Sequence, residues 1–284
     1  MTRIVYLNGD YLPDYEAKIS IFDRAVTFGD AIYDVAGVLD GKLVDFVHHM
    51  QRYFSSLEKL GIPSPLEQDE LLAIFRRLVE LNELEEGLVY VQVSRGVAER
   101  DFVPPGGLEP SVFMFTQAKQ SAENEAAETG ISLASTADIR WARRDIKSVN
   151  LLGQVLAKQI AHDAGADEAL MIDGEGYITE CGCTSFFIVR KQAILTRPLN
   201  NDILPGVTRR AIIELCSVRG LDLQETRFTL EEALAADEAF ISGASSYILP
   251  VVRIDGQAIA DGKPGKVTRD LRQFYIDEMR ASLV

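Results

Sequence analysis

Four short segments of this 284-residue chain carry residue types that could do chemistry. In Asp145-Ile-Lys147-Ser-Val-Asn150-Leu-Leu-Gly153 a lysine stands in the approach to an amphipathic helix, shortly after Trp141, Arg143 and Arg144. A lysine amine becomes a nucleophile when burial or neighbouring cations depress its pKa. Ile178-Thr179-Glu180 sets a carboxylate just before a run of small residues and an apolar strand. Residues 204–209 open a helix with Gly206, followed by Val207 and Thr208, whose backbone amides could face an anion. Residues 242–246 form a small-residue loop after a strand, suited to close approach of backbone to a phosphate. Taken singly, each has a plainer reading: a solvated lysine, a strand-end acid, a helix start and a turn.

Other chemistries fail on spacing. No G-x-S-x-G elbow offers a serine nucleophile, and no strand-associated G-x-G-x-x-G offers a dinucleotide site. Gly256 to Lys263 has the wrong spacing for a phosphate loop, with Pro264 where Ser or Thr is required. Cys181 and Cys183 invite a zinc reading, but His48, His49, His162 and Cys216 add no ligand-pair spacing, so no metal is expected. A formal net charge of −14 disfavours nucleic acid and anionic membranes, although a few arginines can still build a local pocket for an anionic small molecule. No stretch reaches the ~18 apolar residues of a membrane span. Three sparse cysteines argue against a disulfide framework and fit a reducing cytoplasm.

The elements that must position these segments mix hairpins and helices without a βαβ rhythm, which favours α+β. Asn8-Gly9 between Ile4–Leu7 and Tyr11-Leu12 reads as a tight primed turn, and Asp40-Gly41 repeats the signal between Ala31–Leu39 and residues 42–46. Val47, Met50, Phe54, Leu57 and Leu60 recur at helical spacing until Gly61. Leu71, Leu72, Phe75, Leu78 and Val79 make a second helical stripe. Strands are expected at residues 88–94, 112–116 and 131–135. A helix with Leu151, Leu152, Val155, Leu156 and Ile160 on one face follows. Another is expected from about Val207, a strand near residues 239–242, and a terminal helix near Val267. The polar stretch around residues 118–130 reads as a linker between an N-terminal α+β domain, 1–117, and a C-terminal one, 131–284, that carries Lys147.

Together and in order, the segments resemble the fold-type-IV pyridoxal-phosphate enzymes, D-amino-acid transaminase above all, with branched-chain transaminase and aminodeoxychorismate lyase as relatives. The resemblance spans nearly the whole chain. It runs through Asp23-Arg24, Phe28-Gly29-Asp30, Tyr33-Asp34-Val35, His49 to Arg52, Arg95-Gly96 and Arg100. It continues through the Lys147 segment, Thr179-Glu180, residues 204–209 and residues 242–250.

The resemblance implies a two-domain enzyme with its active site at the domain and dimer interface. Lys147 would carry pyridoxal 5'-phosphate and shuttle the substrate proton, and Glu180 would sit beside the pyridine nitrogen. Arg52 would clamp the phosphate, with Val207, Thr208, Ala244 and Ser245 completing the cup, and Leu204 would pack on a ring face. Tyr33 and Arg100 would meet the substrate, Arg100 from a loop reaching the neighbouring subunit. Where D-amino-acid transaminases carry Arg-x-His, this chain has Arg100-Asp101-Phe102, keeping the arginine and losing the histidine. Branched-chain signatures are not met: Gln92 stands where those enzymes place an arginine. The implied function is amino-group exchange between D-amino acids and 2-oxo acids in a cytoplasmic homodimer. D-alanine and D-glutamate against 2-oxoglutarate and pyruvate are the expected pairs. A branched-chain L-amino-acid transaminase, a pyridoxal-phosphate lyase and a non-catalytic binding protein stay open as alternatives.

Overall fold

The computed structural model describes residues 2–284, which fall into two compact units. The first holds the chain up to Gln120 together with Ile146–Asn150 and Ser282–Val284; the second holds Ser121–Asp145 and Leu151–Ala281.

The first unit is built on a six-stranded antiparallel sheet. Its strands are β1 (Ile4–Leu7), β2 (Asp10–Pro13), β3 (Ala31–Leu39), β4 (Lys42–Leu43), β5 (Gly87–Ser94) and β6 (Ser111–Ala118). Their order across the sheet is β2-β1-β6-β5-β3-β4. Both turn signals are present: Asn8 and Gly9 have φ of 48° and 109°, and Asp40 and Gly41 have 52° and 69°. The second hairpin arm is shorter than expected. Asp45 turns left-handed at φ 50°, and α2 (Phe46–Leu60) starts where the strand was to continue. Along α2 the buried stripe is Phe46, Met50, Tyr53 and Leu57, rotated from the expected one, and Val47 faces solvent. The remaining helices are α1 (Arg24–Phe28), capped by the Asp23 side chain, and α3 (Gln68–Leu81), which opens with a capping box. Ile32, Met50, Tyr53, Phe75, Leu78 and Val91 form the core, and Ile146 joins them.

That last contact corrects the sequence reading, which assigned the Lys147 segment to the second domain. Residues 147–149 meet β3 through an isolated antiparallel bridge between Ile32 and Ser148: Tyr33 N–H donates to Lys147 O (2.9 Å) and Val149 N–H to Ala31 O (3.1 Å). Burial of Ile146 and these backbone bonds outweigh proximity in sequence.

The second unit carries a mixed nine-stranded sheet. Its strands are β7 (Ile131–Ala137), β8 (Glu168–Ile172), β9 (Ile178–Cys181), β10 (Ser185–Arg190), β11 (Ala193–Thr196), β12 (Leu223–Glu225), β13 (Glu238–Gly243), β14 (Tyr247–Ile254) and β15 (Gln257–Ala258). The order is β12-β11-β10-β13-β14-β7-β8-β9, with β15 on β14. Pairs β7–β8, β7–β14 and β11–β12 are parallel and the others antiparallel, an α+β arrangement. Helices α4 (Ala126–Thr129), α5 (Leu152–Asp163), α6 (Val207–Arg219), α7 (Leu230–Leu234) and α8 (Lys266–Ala281) complete it. The stretch read as a linker holds α4, whose Ala127 is buried. Helix α5 buries Ala157 and Ala161, while its larger residues Leu152, Val155, Leu156 and Ile160 are exposed. The expected apolar face exists but is turned outward.

Candidate active site

In the first unit the structure fixes Lys147 by its backbone and leaves its amine unpaired. Its N–H donates to the buried Ser56 Oγ (3.2 Å), its carbonyl accepts from Tyr33, and Ser148 bridges Ile32. The extended backbone sends the side chain over the Tyr33 ring, with Nζ 4.2 Å from the centroid. Among the described residues Nζ makes no ion pair. Tyr33 is itself set by stacking on Tyr90 (5.4 Å), which stacks on Phe115 (4.7 Å) across β5 and β6. Burial pushes the Tyr90 hydroxyl well above its ordinary range.

Arg52, on α2, is gripped by Asp34 on β3. Its Nε donates to Asp34 Oδ2 and its Nη2 to Oδ1, both at 2.8 Å, and His49 Nδ1 lies 2.8 Å from Oδ1. Spacing of three residues puts His49 and Arg52 on one face of α2. Asp34 has no exposed surface. Burial alone would raise its carboxyl, but Arg52 and His49 hold it far below the usual range. Burial in turn lowers the pKa of His49 against the pull of Asp34, which raises it. Arg100 stands apart from Arg52 in the exposed segment after β5, with its guanidinium over the Phe28 ring (5.3 Å) and the Phe102 ring (5.5 Å).

In the second unit Glu180, at the end of β9, is buried and engaged on one oxygen. Oε1 accepts from Arg140 Nη1 and from the Leu204 amide (3.2 Å). Among the described residues Oε2 has no hydrogen-bond partner. Arg140 is shared: Asp138 Oδ1 and Oδ2 take its Nε (2.9 Å) and Nη2 (2.7 Å), and Thr179 Oγ1 also donates to Asp138 (2.7 Å). Burial wins at Glu180 and pushes its carboxyl upward despite Arg140 and the Leu204 amide, with the nearby Asp138 carboxylate adding to the rise. Sequence reasoning missed Asp138 and Arg140. Two charges spaced by two, at the mouth of the apolar strand β7, were the available signal.

The β9–β10 turn also gathers the anion-binding segments. Gly206 caps α6, and a Cβ there would lie 2.9 Å from Ser185 Oγ. A Cβ on Gly243 would lie 3.0 Å from Thr184 Cγ2. The start of α6, with buried Val207 and Thr208, and the loop of Ala244 and Ser245 thus flank the same two residues at the head of β10. First-turn amides of a helix have no intrahelical acceptor and carry the positive end of its dipole. Among the described residues Thr184 Oγ1 and Ser242 Oγ are buried with no hydrogen-bond partner. The loop is held from behind: buried Arg272 donates to Ser246 O (3.3 Å) and Ile248 O (2.7 Å), and Ser121 Oγ to Ser245 O (2.8 Å). An anion cup beside a carboxylate with one open oxygen suits a phosphate-bearing ring with a basic nitrogen.

The fold and these groups define an enzyme that works through such a cofactor, and comparison with known proteins names its family. The amino-transferase class IV family matches residues 31–254. The chain is 37% identical over 272 residues to D-alanine aminotransferase of Staphylococcus aureus (strain MSSA476), covering 95% of this chain and 96% of that one. To D-alanine aminotransferase of Bacillus licheniformis it is 36% identical over 268 residues, covering 94% of each. Among solved structures it resembles the branched-chain amino acid aminotransferase of Escherichia coli, at TM-score 0.93 and 26% identity over 98% of this chain and 95% of that one. The T.th. branched-chain amino acid aminotransferase with pyridoxamine 5'-phosphate matches at TM-score 0.93 and 25% identity, over 100% of this chain and 98% of that one. The chain belongs to the class IV aminotransferases, fold-type-IV enzymes that use pyridoxal 5'-phosphate.

Proposed function

We propose that this aminotransferase exchanges amino groups between D-amino acids and 2-oxo acids. D-alanine and D-glutamate with pyruvate and 2-oxoglutarate are its working substrates. Identity of 36–37% to enzymes named D-alanine aminotransferase supports the stereochemistry, against 24–26% for the branched-chain structures. The observation that carries the catalytic assignment is the Lys147 amine, held over Tyr33 and in no ion pair among the described residues.

Pyridoxal phosphate supplies the electron sink for the charge left when the substrate loses its Cα proton. Lys147 is the residue that would carry the cofactor, and its amine would move the substrate's Cα proton. Glu180 would face the ring nitrogen with the oxygen that Arg140 and Leu204 leave open, and a carboxylate there would keep that nitrogen protonated. The Val207, Ala244 and Ser245 amides and the Thr208 hydroxyl would hold the phosphate in the second unit, and Arg52, set by Asp34 in the first, is the guanidinium that would pair with a phosphate. Leu204 packs on the ring, and Tyr33 and Arg100 meet the substrate, Arg100 at its carboxylate.

The working form is a homodimer in the cytoplasm. Exposed Leu152, Val155, Leu156 and Ile160 on α5 form a face of the kind an interface covers, and the three cysteines are free thiols.

The test is a single-turnover spectrum. D-alanine should convert the enzyme to its pyridoxamine form faster than L-leucine does. Arg100→Ala should slow the D-alanine reaction about ten- to a hundredfold, the effect of losing ~1.5–3 kcal/mol of charge-assisted contact, with cofactor still bound. Faster reaction with L-leucine in the unaltered enzyme would put the branched-chain reading ahead.

A further inference from the structure

Arg100 has no hydrogen bond among the described residues, yet two rings and a buried arginine surround its short segment. Its guanidinium lies over Phe28 and Phe102, whose centroids are 5.4 Å apart. Phe102 is 78% exposed, so burial does not explain its position. The backbone beneath it is clamped instead. Arg24, only 3% exposed, donates Nη1 to Asp101 O (2.7 Å) and Nη2 to Phe102 O (3.2 Å). Its Nε goes to Asp30 Oδ2 (2.8 Å), and its own guanidinium lies 4.5 Å from the Phe28 centroid. Asp30 also takes Arg95, whose other donors cap the end of α2 at Leu60 O and Gly61 O. The anchor is therefore rigid: α1 and α2 fix Asp30, Asp30 fixes Arg24, and Arg24 fixes two carbonyls next to Arg100.

A guanidinium over aromatic faces loses rotamer freedom without spending its N–H donors, which lie in its own plane. The fork of Arg100 stays open to a carboxylate while its direction is set. A histidine at position 102 would contribute hydrogen bonds; a phenyl ring contributes orientation alone.

We propose that Phe28 and Phe102 are positioning residues for Arg100, and that Arg24 fixes the backbone from which they act. Together they set the enzyme's preference for substrates with a free α-carboxylate. This rests on the reading of Arg100 as the carboxylate contact.

The test compares kcat/KM for D-alanine with that for D-alaninamide, which lacks the carboxylate. The unaltered holoenzyme should prefer D-alanine. Phe102→Leu should reduce that preference about two- to fivefold, mainly through KM, as expected for an exposed cation–π contact. Phe102→Tyr, which keeps an aromatic face, should restore it, and Arg24→Lys, which keeps the charge but loses the fork, should reduce it at least as much. Cofactor absorbance and melting temperature should not move in the Phe102 variants. If Arg100→Ala abolishes the preference but Phe102→Leu and Arg24→Lys leave it intact, the positioning role is overturned and the reading of Arg100 stands. If Arg100→Ala also leaves it intact, that reading fails and the inference with it.

Discussion

Two buried ion clusters use the same chemistry and end on opposite charges. In the first unit a fully buried carboxylate, Asp34, grips Arg52, the more exposed member at 10% of its side-chain surface. In the second unit Asp138, also fully buried, grips Arg140, and Arg140 in turn holds Glu180, at 7%. One link after the anchoring aspartate presents a cation; two links present an anion. The pKa directions follow. Arg52 and His49 hold Asp34 low against burial, whereas burial, with the Asp138 carboxylate nearby, pushes Glu180 up despite Arg140. A cation held along one edge of its guanidinium by a buried carboxylate is suited to phosphate, and a carboxylate with a raised pKa is suited to sharing a proton with a ring nitrogen.

If this division of labour holds, the two clusters respond differently to neutral isosteres. The largest effect on turnover is expected at Glu180→Gln, a loss of ~100-fold or more, the scale of a positioned proton, with cofactor retained. Its stability should not fall. A carboxyl whose native pKa is raised costs stability above its unfolded value, so removing the charge should leave Tm unchanged or higher at pH 7. Near-native turnover in this variant would break the comparison. Asp34→Asn should do the reverse and destabilise the fold by about 3–5 kcal/mol, because Arg52 keeps its charge in a buried setting. A carboxyl held low in the native state stabilises above its unfolded pKa near ~4 and loses that contribution as pH falls toward the native value. Urea unfolding of Asp34→Asn should therefore depend less on pH below about 4 than the unaltered protein does. An unchanged acid limb would show that Asp34 is not the anchor. The smallest effect is expected at Thr208→Val. One neutral hydroxyl is worth about 0.5–1.5 kcal/mol, so cofactor should bind roughly two- to tenfold more weakly by equilibrium dialysis. A complete loss would mean that the cup does not rest mainly on backbone amides.

Much of this was legible in the sequence where a local rule decides the outcome. Asn8-Gly9, Asp40-Gly41 and Gly61 need positive φ, and the chain turns at each. The start of α6 and the small-residue loop at 243–246 were found for the same reason, since small residues mark close backbone approach. Periodicity located α2 but misjudged its buried face, because Phe46 rather than Val47 opens the stripe. It located α5 as well, yet cannot say whether an apolar face meets its own core or another surface. Non-local facts were out of reach. That Ile146 packs with the first core depends on a strand more than a hundred residues earlier, and that Arg140 stands behind Glu180 depends on β7 and β9 both flanking β8. Resemblance supplied the end members Arg52 and Glu180; the residues that aim them came only from the structure.

The central claim is that Lys147 is the lysine that carries the cofactor, and borohydride reduction followed by peptide mapping tests it directly. Lys158 is the natural control. It pairs with Glu168 at 3.0 Å, and that partner raises its pKa against the effect of burial, which keeps the amine protonated and occupied. Among the described residues Lys147 has no such partner. The purified protein should be yellow, and reduction should place the label on the peptide containing Lys147 and on no other. Label on Lys158, or a protein that binds no cofactor at all, would contradict the account.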